Sequence, residues 1–240
     1  MAYKWFRKPR FLLVYPLLIW FVFFARTTET GLRIGVILVL LGEAIRLWAN
    51  GYVGHVKVNW TQKQRGDAKI GQLITGGPYA YVRHPLYLGT FIIGAGFCVV
   101  VGSLWMGVVA LIFFLLVYQW RMGKEELILL DEWAEVFERY RSRVWPWIPN
   151  MRRYDRSTGT WSWKGIWASK EPKTFIWVIV LLILMYFRVE FIQKHELFLG
   201  NRWLIHVILL ALMIGLIANE LIYALSKYLK RSRINPHGPT

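Results

Sequence analysis

The chain has 240 residues, 56% of them hydrophobic and 14 of them tryptophan, with a positive mean hydropathy. That composition is too apolar for an ordinary soluble domain and suits a lipid setting with indoles at the interface. The single cysteine, Cys98, excludes a disulfide framework, and the formal charge of +16 raises nucleic acid as a partner until the charges are placed.

In chain order, "MAYKWFRKPR" precedes the apolar run "FLLVYPLLIWFVFFA". The charge order is that of a secretory leader, but "RTTETG" follows with no small-residue cleavage motif, so a retained first membrane helix is expected over about 11–25. Trp5 and Phe6 would extend it into the interface. A second span is expected at 32–49, and a polar, Gly- and Pro-punctuated stretch follows to residue 85. Apolar runs at 86–101 and 104–120, separated only by Gly102 and Ser103, predict a tight helical hairpin.

From 123 to 142 the apolar residues Leu127, Leu130, Ala134, Phe137 and Tyr140 recur at helical spacing, with acids early and arginines late. This predicts a separate helix lying on the membrane or covering a cavity. A basic, Trp-rich loop containing "TWSWKGIW" leads to two further spans, at 174–191 and 203–225. The expected fold is all-α, a polytopic transmembrane bundle of about six spans with a cytoplasmic cofactor pocket.

Charge placement supports that topology. With both termini cytoplasmic, segments 1–10, 51–85, 121–173 and 226–240 hold 24 of the 30 lysines and arginines. This positive-inside bias accounts for the net charge without nucleic acid, and the basic C-terminal tail suits anionic membrane lipid.

Common chemical sites are missing from the sequence: no metal-ligand spacing, no P-loop and no dinucleotide fingerprint. The histidines stand scattered at 55, 84, 195, 206 and 237. His206 reads as a hydrogen-bonded histidine within a span, and Cys98 as a small packing residue.

Two clusters remain. In "GPYAYVRHPLYLG", Arg83, His84 and Pro85 are flanked by Tyr79, Tyr81 and Tyr87, and Pro85 fits the first turn of a helix. Such a helix start beside a guanidinium suits an anionic group, while a basic flank with an aromatic belt would look the same. In the second, Arg121 and Glu125 are spaced to pair on one helix face, and Glu126 points about 100° further round. Adjacent carboxylates at the end of an apolar helix need partners, although a solvated helix start is the plainer reading. If the hairpin forms, both clusters meet at its cytoplasmic end.

These residues resemble the membrane methyltransferases of the isoprenylcysteine carboxyl methyltransferase and phospholipid methyltransferase group. The likeness rests on "RHPLY" (Arg83 to Tyr87) and the pair Glu125–Glu126 beyond the hairpin. "GEAIRLWANGY" from Gly42, "ITGGPYAYVRHPLYLG" and "EVFERYRSRVWPWIP" extend it over about 40–150. The resemblance implies an enzyme that binds S-adenosylmethionine, with S-adenosylhomocysteine as product, and methylates a lipophilic acceptor. By position it makes Tyr79, Arg83, His84, Pro85, Tyr87, Glu125 and Glu126 cofactor-binding residues, and Arg121 and Glu126 catalytic ones.

It divides the chain into a methyltransferase core, 1–150, and an addition, 151–240. The added spans would serve packing, a homodimer contact or a substrate tunnel wall. The acceptor stays open among an isoprenylcysteine-like carboxylate, another lipid or isoprenoid, a phospholipid amine and a small thiol. Sterol and steroid reductases, which use NADPH, share a similar Arg-His-Pro-x-Tyr segment and stand as the alternative enzyme class. A non-enzymatic membrane scaffold is the third reading.

Overall fold

The computed structural model describes residues 25–53, 73–169, 171–190 and 203–234. Every regular element among them is helical: α1 (Glu29–Val53), a short 3-10 turn (Gly77–Ala80), α2 (Pro85–Val101), α3 (Leu104–Arg141), α4 (Trp163–Ala168), α5 (Glu171–Arg188) and α6 (Trp203–Ile234). The predicted first span lies outside the described residues, as do His55, His195 and His237. Among the described residues one helix, Gly107–Arg141 within α3, is long and apolar enough to cross a membrane. Pro85–Val101 and Trp203–Asn219 are shorter apolar helices.

The described residues up to Thr174 form one compact unit and those from Phe175 form another. In the first unit, α1 and α2 pack antiparallel along a stripe of glycines. Gly35 and Gly42 are two turns apart on α1, and Gly96 and Gly89 match them on α2. A Cβ on Gly35 would stand 2.6 Å from the Gly96 carbonyl oxygen, and one on Gly42 would stand 2.7 Å from that of Gly89. Removing side chains from this stripe lets the two backbones approach directly, as small residues do between membrane helices.

The hairpin between α2 and α3 forms where it was expected. Gly102 caps α2 in the left-handed region (φ 67°), and its N–H donates to Cys98 O and Val99 O at 3.2 Å each. Below the turn the limbs meet through rings, Phe91 with Phe114 at 5.3 Å and Tyr87 with Tyr118 at 4.9 Å between centroids.

Two expectations about α3 are corrected. The apolar run at 104–120 and the charged stretch from 123 form one helix as far as Ala134, since the backbone stays helical through Gly123. The helix instead changes direction at Ala134 (φ 35°, ψ −116°). The single apolar face expected from Leu127 to Tyr140 is therefore split: Leu127 is exposed, whereas Phe137 and Tyr140 are buried.

Phe137 and Tyr140 close a small core with Leu73, Ala80, Val144 and Tyr154. Backbone bonds fix the Arg-His-Pro segment against the chain that follows α3. Arg83 N–H donates to Trp145 O (2.8 Å), His84 N–H to Pro146 O (3.3 Å), Asn150 N–H to Tyr81 O (2.7 Å) and Tyr154 N–H to Ala80 O (3.0 Å). Gly76 N–H donates to Thr158 O (2.8 Å), and the Thr158 hydroxyl donates to Leu73 O.

The chain beyond 158 stays on α1. Ser162 N–H donates to Gly51 O at 2.9 Å, and the Ser162 hydroxyl caps α4 by accepting from Lys164 N–H. At the start of α5, the Glu171 carboxylate accepts a bidentate pair from Arg46, at 2.6 Å from Nε and 2.9 Å from Nη2. In the second unit, His206 is fully buried beside Tyr186, whose hydroxyl lies 3.2 Å from its Nε2, and Glu190 at 3.8 Å.

Candidate functional site

Pro85 occupies the first turn of α2, where its missing N–H disrupts no helical bond, and His84 forms the N-cap. This start, locked to residues 145 and 146, aims Arg83 and His84 at the charged half of α3. His84 Nε2 lies 2.9 Å from Glu126 Oε1, and Arg83 Nη1 lies 3.1 Å from the same oxygen. The second oxygen of Glu126 stands 3.6 Å from Arg141 Nε.

One carboxylate thus faces two guanidiniums and an imidazole. Burial alone would raise the Glu126 carboxyl, but the His84 hydrogen bond and the Arg83 charge outweigh it and hold it below its usual value. Burial draws the Arg83 guanidinium down from its usual value, against the pull of Glu126. Arg83 Nε and Nη1 are buried with no acceptor in hydrogen-bonding geometry, so the guanidinium keeps donors free despite the ion pair.

Glu125 turns the other way and accepts a hydrogen bond from the Tyr87 hydroxyl. The Tyr87 ring stacks on His84 at 5.6 Å and meets Tyr118 edge-on. The expected Arg121–Glu125 pair does not form. Tyr87 takes Glu125, and the Arg121 guanidinium lies over the Tyr118 ring, 5.9 Å from its centroid. Tyr79 is buried, and its carbonyl accepts from the Tyr140 hydroxyl at 2.7 Å. Burial pushes both phenols up, so Tyr140 donates as a neutral hydroxyl.

The structure therefore brings Arg83, His84, Pro85, Tyr87, Glu125 and Glu126 together, with Tyr79 directly behind them. Arg121 lies over the ring of Tyr118, which itself meets Tyr87 edge-on. A cavity of about 200 Å³ is lined by Tyr140 together with Trp133, Val136, Tyr154 and Leu73, with Arg139 and Arg156 also on its lining. The Trp133 indole N–H is buried and has no acceptor.

Residues 30–134 match the family model described as phospholipid methyltransferase. Through this region the chain is similar to the phospholipid methyltransferase family. Curated relatives named protein-S-isoprenylcysteine O-methyltransferase are similar over much the same region. That of Dictyostelium discoideum is 26% identical over 136 residues, covering 55% of each chain. That of Schizosaccharomyces pombe is 38% identical over 80 residues, 32% of this chain and 33% of the relative. That of Rattus norvegicus is 30% identical over 118 residues, 49% of this chain and 41% of the relative. The chain thus spans about half or less of the curated relatives it matches. No solved structure matches it.

Within this methyltransferase-family region, both quoted signatures converge on Glu126. Two participants were not legible in the sequence. Arg141 lies beyond the matched region, and only the turn at Ala134 carries it back to Glu126. Arg46 stands in "GEAIRLWANGY", but its partner Glu171 is 125 residues away, with no local pattern to announce it.

Proposed function

We propose that this chain is an integral membrane methyltransferase that uses S-adenosylmethionine and acts on a lipophilic acceptor. One observation carries the reading: residues about forty apart, "RHPLY" and Glu125–Glu126, close into a single ion-paired cluster inside the region that matches the methyltransferase family.

The residues fit the donor. Its carboxylate suits the unspent Arg83 donors, its ammonium suits Glu125, and its sulfonium suits the Tyr87 ring. The aromatic cavity beside Tyr140, with the unpaired Trp133 N–H, suits its purine. When bound, S-adenosylmethionine supplies an electrophilic methyl group on sulfur. The protein's part is to position and to exclude water, since an in-line displacement needs mainly orientation.

A carboxylate held down by Arg83, His84 and Arg141 is a weak base, so Glu126 orients rather than deprotonates. That favours an acceptor already nucleophilic when it arrives, a carboxylate on a lipidated molecule. Arg121, which makes no ion pair among the described residues, is the group to hold it. The names of the relatives agree with such an acceptor. The six-span bundle, with the site on its cytoplasmic side, belongs to this proposal and rests on the charge bias of the sequence.

Titrating the purified full chain in detergent with S-adenosylhomocysteine and with NADPH tests the reading. Binding of the first alone is expected, weakened about 10- to 100-fold by Glu126→Ala, the loss of a charged hydrogen-bonded group. NADPH binding without S-adenosylhomocysteine binding would overturn it in favour of a reductase.

A further inference from the structure

The segment "TWSWKGIW" takes no part in the Glu126 site, yet it is firmly placed. Trp161 packs on Gly51, where a Cβ would collide with its indole, and stands edge-on to Trp163 at 4.7 Å between centroids. Ser162 fixes the start of α4 to the last turn of α1. On α4 itself Ile166 is buried, whereas Trp163 and Trp167, four apart and so side by side, are 67% and 74% exposed. Trp48, one turn before the end of α1, is also exposed.

Adjacent indoles held outward on a capped helix carry a large hydration penalty in water. At the headgroup layer of a bilayer the same side chains are favoured, ring in the acyl boundary and N–H toward water. The charges around them have one sign. Along the chain Arg152, Arg153 and Arg156 precede α4, Lys164 lies on it and Lys173 follows it, while Asp155 pairs with Arg143 at 3.7 Å and Glu171 is committed to Arg46. The place is that expected of an interface: α4 is bonded to the last turn of α1 and precedes α5, the two helices that the sequence reads as membrane spans.

We infer that α4 is an interfacial foot. It lies flat on the headgroup layer of an anionic leaflet, with Trp163 and Trp167 inserted at the acyl boundary and Lys164 among the lipid phosphates. This surface is independent of the methyl-transfer reading, and the bilayer rather than a protein is its partner. Its geometry also ties the foot to the site, because the chain that carries α4 bonds Leu73 and Gly76 through Thr158 and Arg46 through Glu171.

The test uses the full chain with Cys98→Ser and Trp167→Cys, labelled with an environment-sensitive fluorophore and reconstituted in nanodiscs. One set of discs is phosphatidylcholine alone, and the other also contains phosphatidylserine. The expected result is blue-shifted emission, quenched by lipids brominated high on the acyl chain and more strongly in the anionic discs. A label at Arg152→Cys should stay aqueous in both. Emission at 167 that matches water and is quenched by aqueous iodide alone would overturn the inference and leave the face to a protein partner. Should Trp167→Cys fail to fold, intrinsic fluorescence replaces it: Trp163→Phe with Trp167→Phe should remove part of the lipid-quenchable signal. An unchanged lipid-quenchable signal would equally overturn it.

Discussion

Glu126 and Arg141 sit fifteen residues apart on one helix, yet Oε2 and Nε approach to 3.6 Å. In a straight α-helix their Cα atoms would stand about 22 Å apart, beyond the reach of any ion pair. The change of direction at Ala134 folds the last two turns back, and the same turn buries Phe137 and Tyr140 under the 3-10 turn at Gly77–Ala80.

Ala134 holds φ 35° and ψ −116°, a region that a residue with a Cβ adopts only under strain of about 1–3 kcal/mol. Glycine occupies it freely, at a cost of about 0.5–1 kcal/mol in unfolded-state entropy. Ala134→Gly should therefore stabilise the chain by about 1 kcal/mol, seen as a higher thermal midpoint in detergent, whereas Ala134→Leu should not. A lower midpoint for the glycine variant would mean that the turn is not built this way.

The turn also marks the limit of what the sequence discloses. The α2–α3 hairpin was legible because Gly102 interrupts two apolar runs, and the Arg-His-Pro start of α2 because proline is diagnostic there. Ala134 is an ordinary helix former amid continuous helical periodicity, so nothing local signals a break, and a second helix was placed wrongly at 123 instead. The glycine stripe was readable in principle, since Gly35, Gly42, Gly89 and Gly96 repeat at seven. The pairing of the stripes required knowing that α1 and α2 are neighbours. The Arg121–Glu125 expectation failed because helical spacing permits a pair but cannot exclude a better partner, here Tyr87.

Glu126 makes stability depend on pH with a definite sign. Its carboxyl is depressed in the folded chain below the ordinary value of 4.5, so its stabilising contribution is complete above that value. It is lost as pH falls through the lower folded value. Thermal midpoints of the wild type and Glu126→Gln should differ most above the ordinary value of 4.5 and converge as pH falls through the lower folded value. A gap that widens on acidification would contradict the ion-paired assignment.

The glycine stripe should tolerate no side chain. Gly42→Ala would place a methyl group 2.7 Å from the Gly89 carbonyl oxygen, a backbone atom that moves only if the helices part. A loss of about 1–3 kcal/mol is expected, the range for overpacking a tight contact. Gly94→Ala, on the partner helix α2 but with open space around it, should be neutral within about 0.5 kcal/mol. Equal effects at the two positions in a detergent melt would remove the stripe as the reason for the close approach.

Arg46 and Glu171 join the family-matched region to a segment outside it, and both are largely buried. Glu43, almost fully buried, stands 3.9 Å from the same guanidinium, and the Thr90 hydroxyl accepts from Arg46 while donating to Leu86 O. Removing Glu171 alone leaves a buried guanidinium poorly matched, and removing Arg46 alone leaves two carboxylates facing each other. Each single change should cost about 3–5 kcal/mol. Arg46→Met combined with Glu171→Leu should cost much less than the sum, since neither charge is then stranded. If the pair couples the segment to the α2 start, Glu171→Gln should also accelerate proteolysis between 150 and 170. A double-mutant cycle by denaturant unfolding measures the coupling, and additive single effects would show that the bidentate pair is not formed.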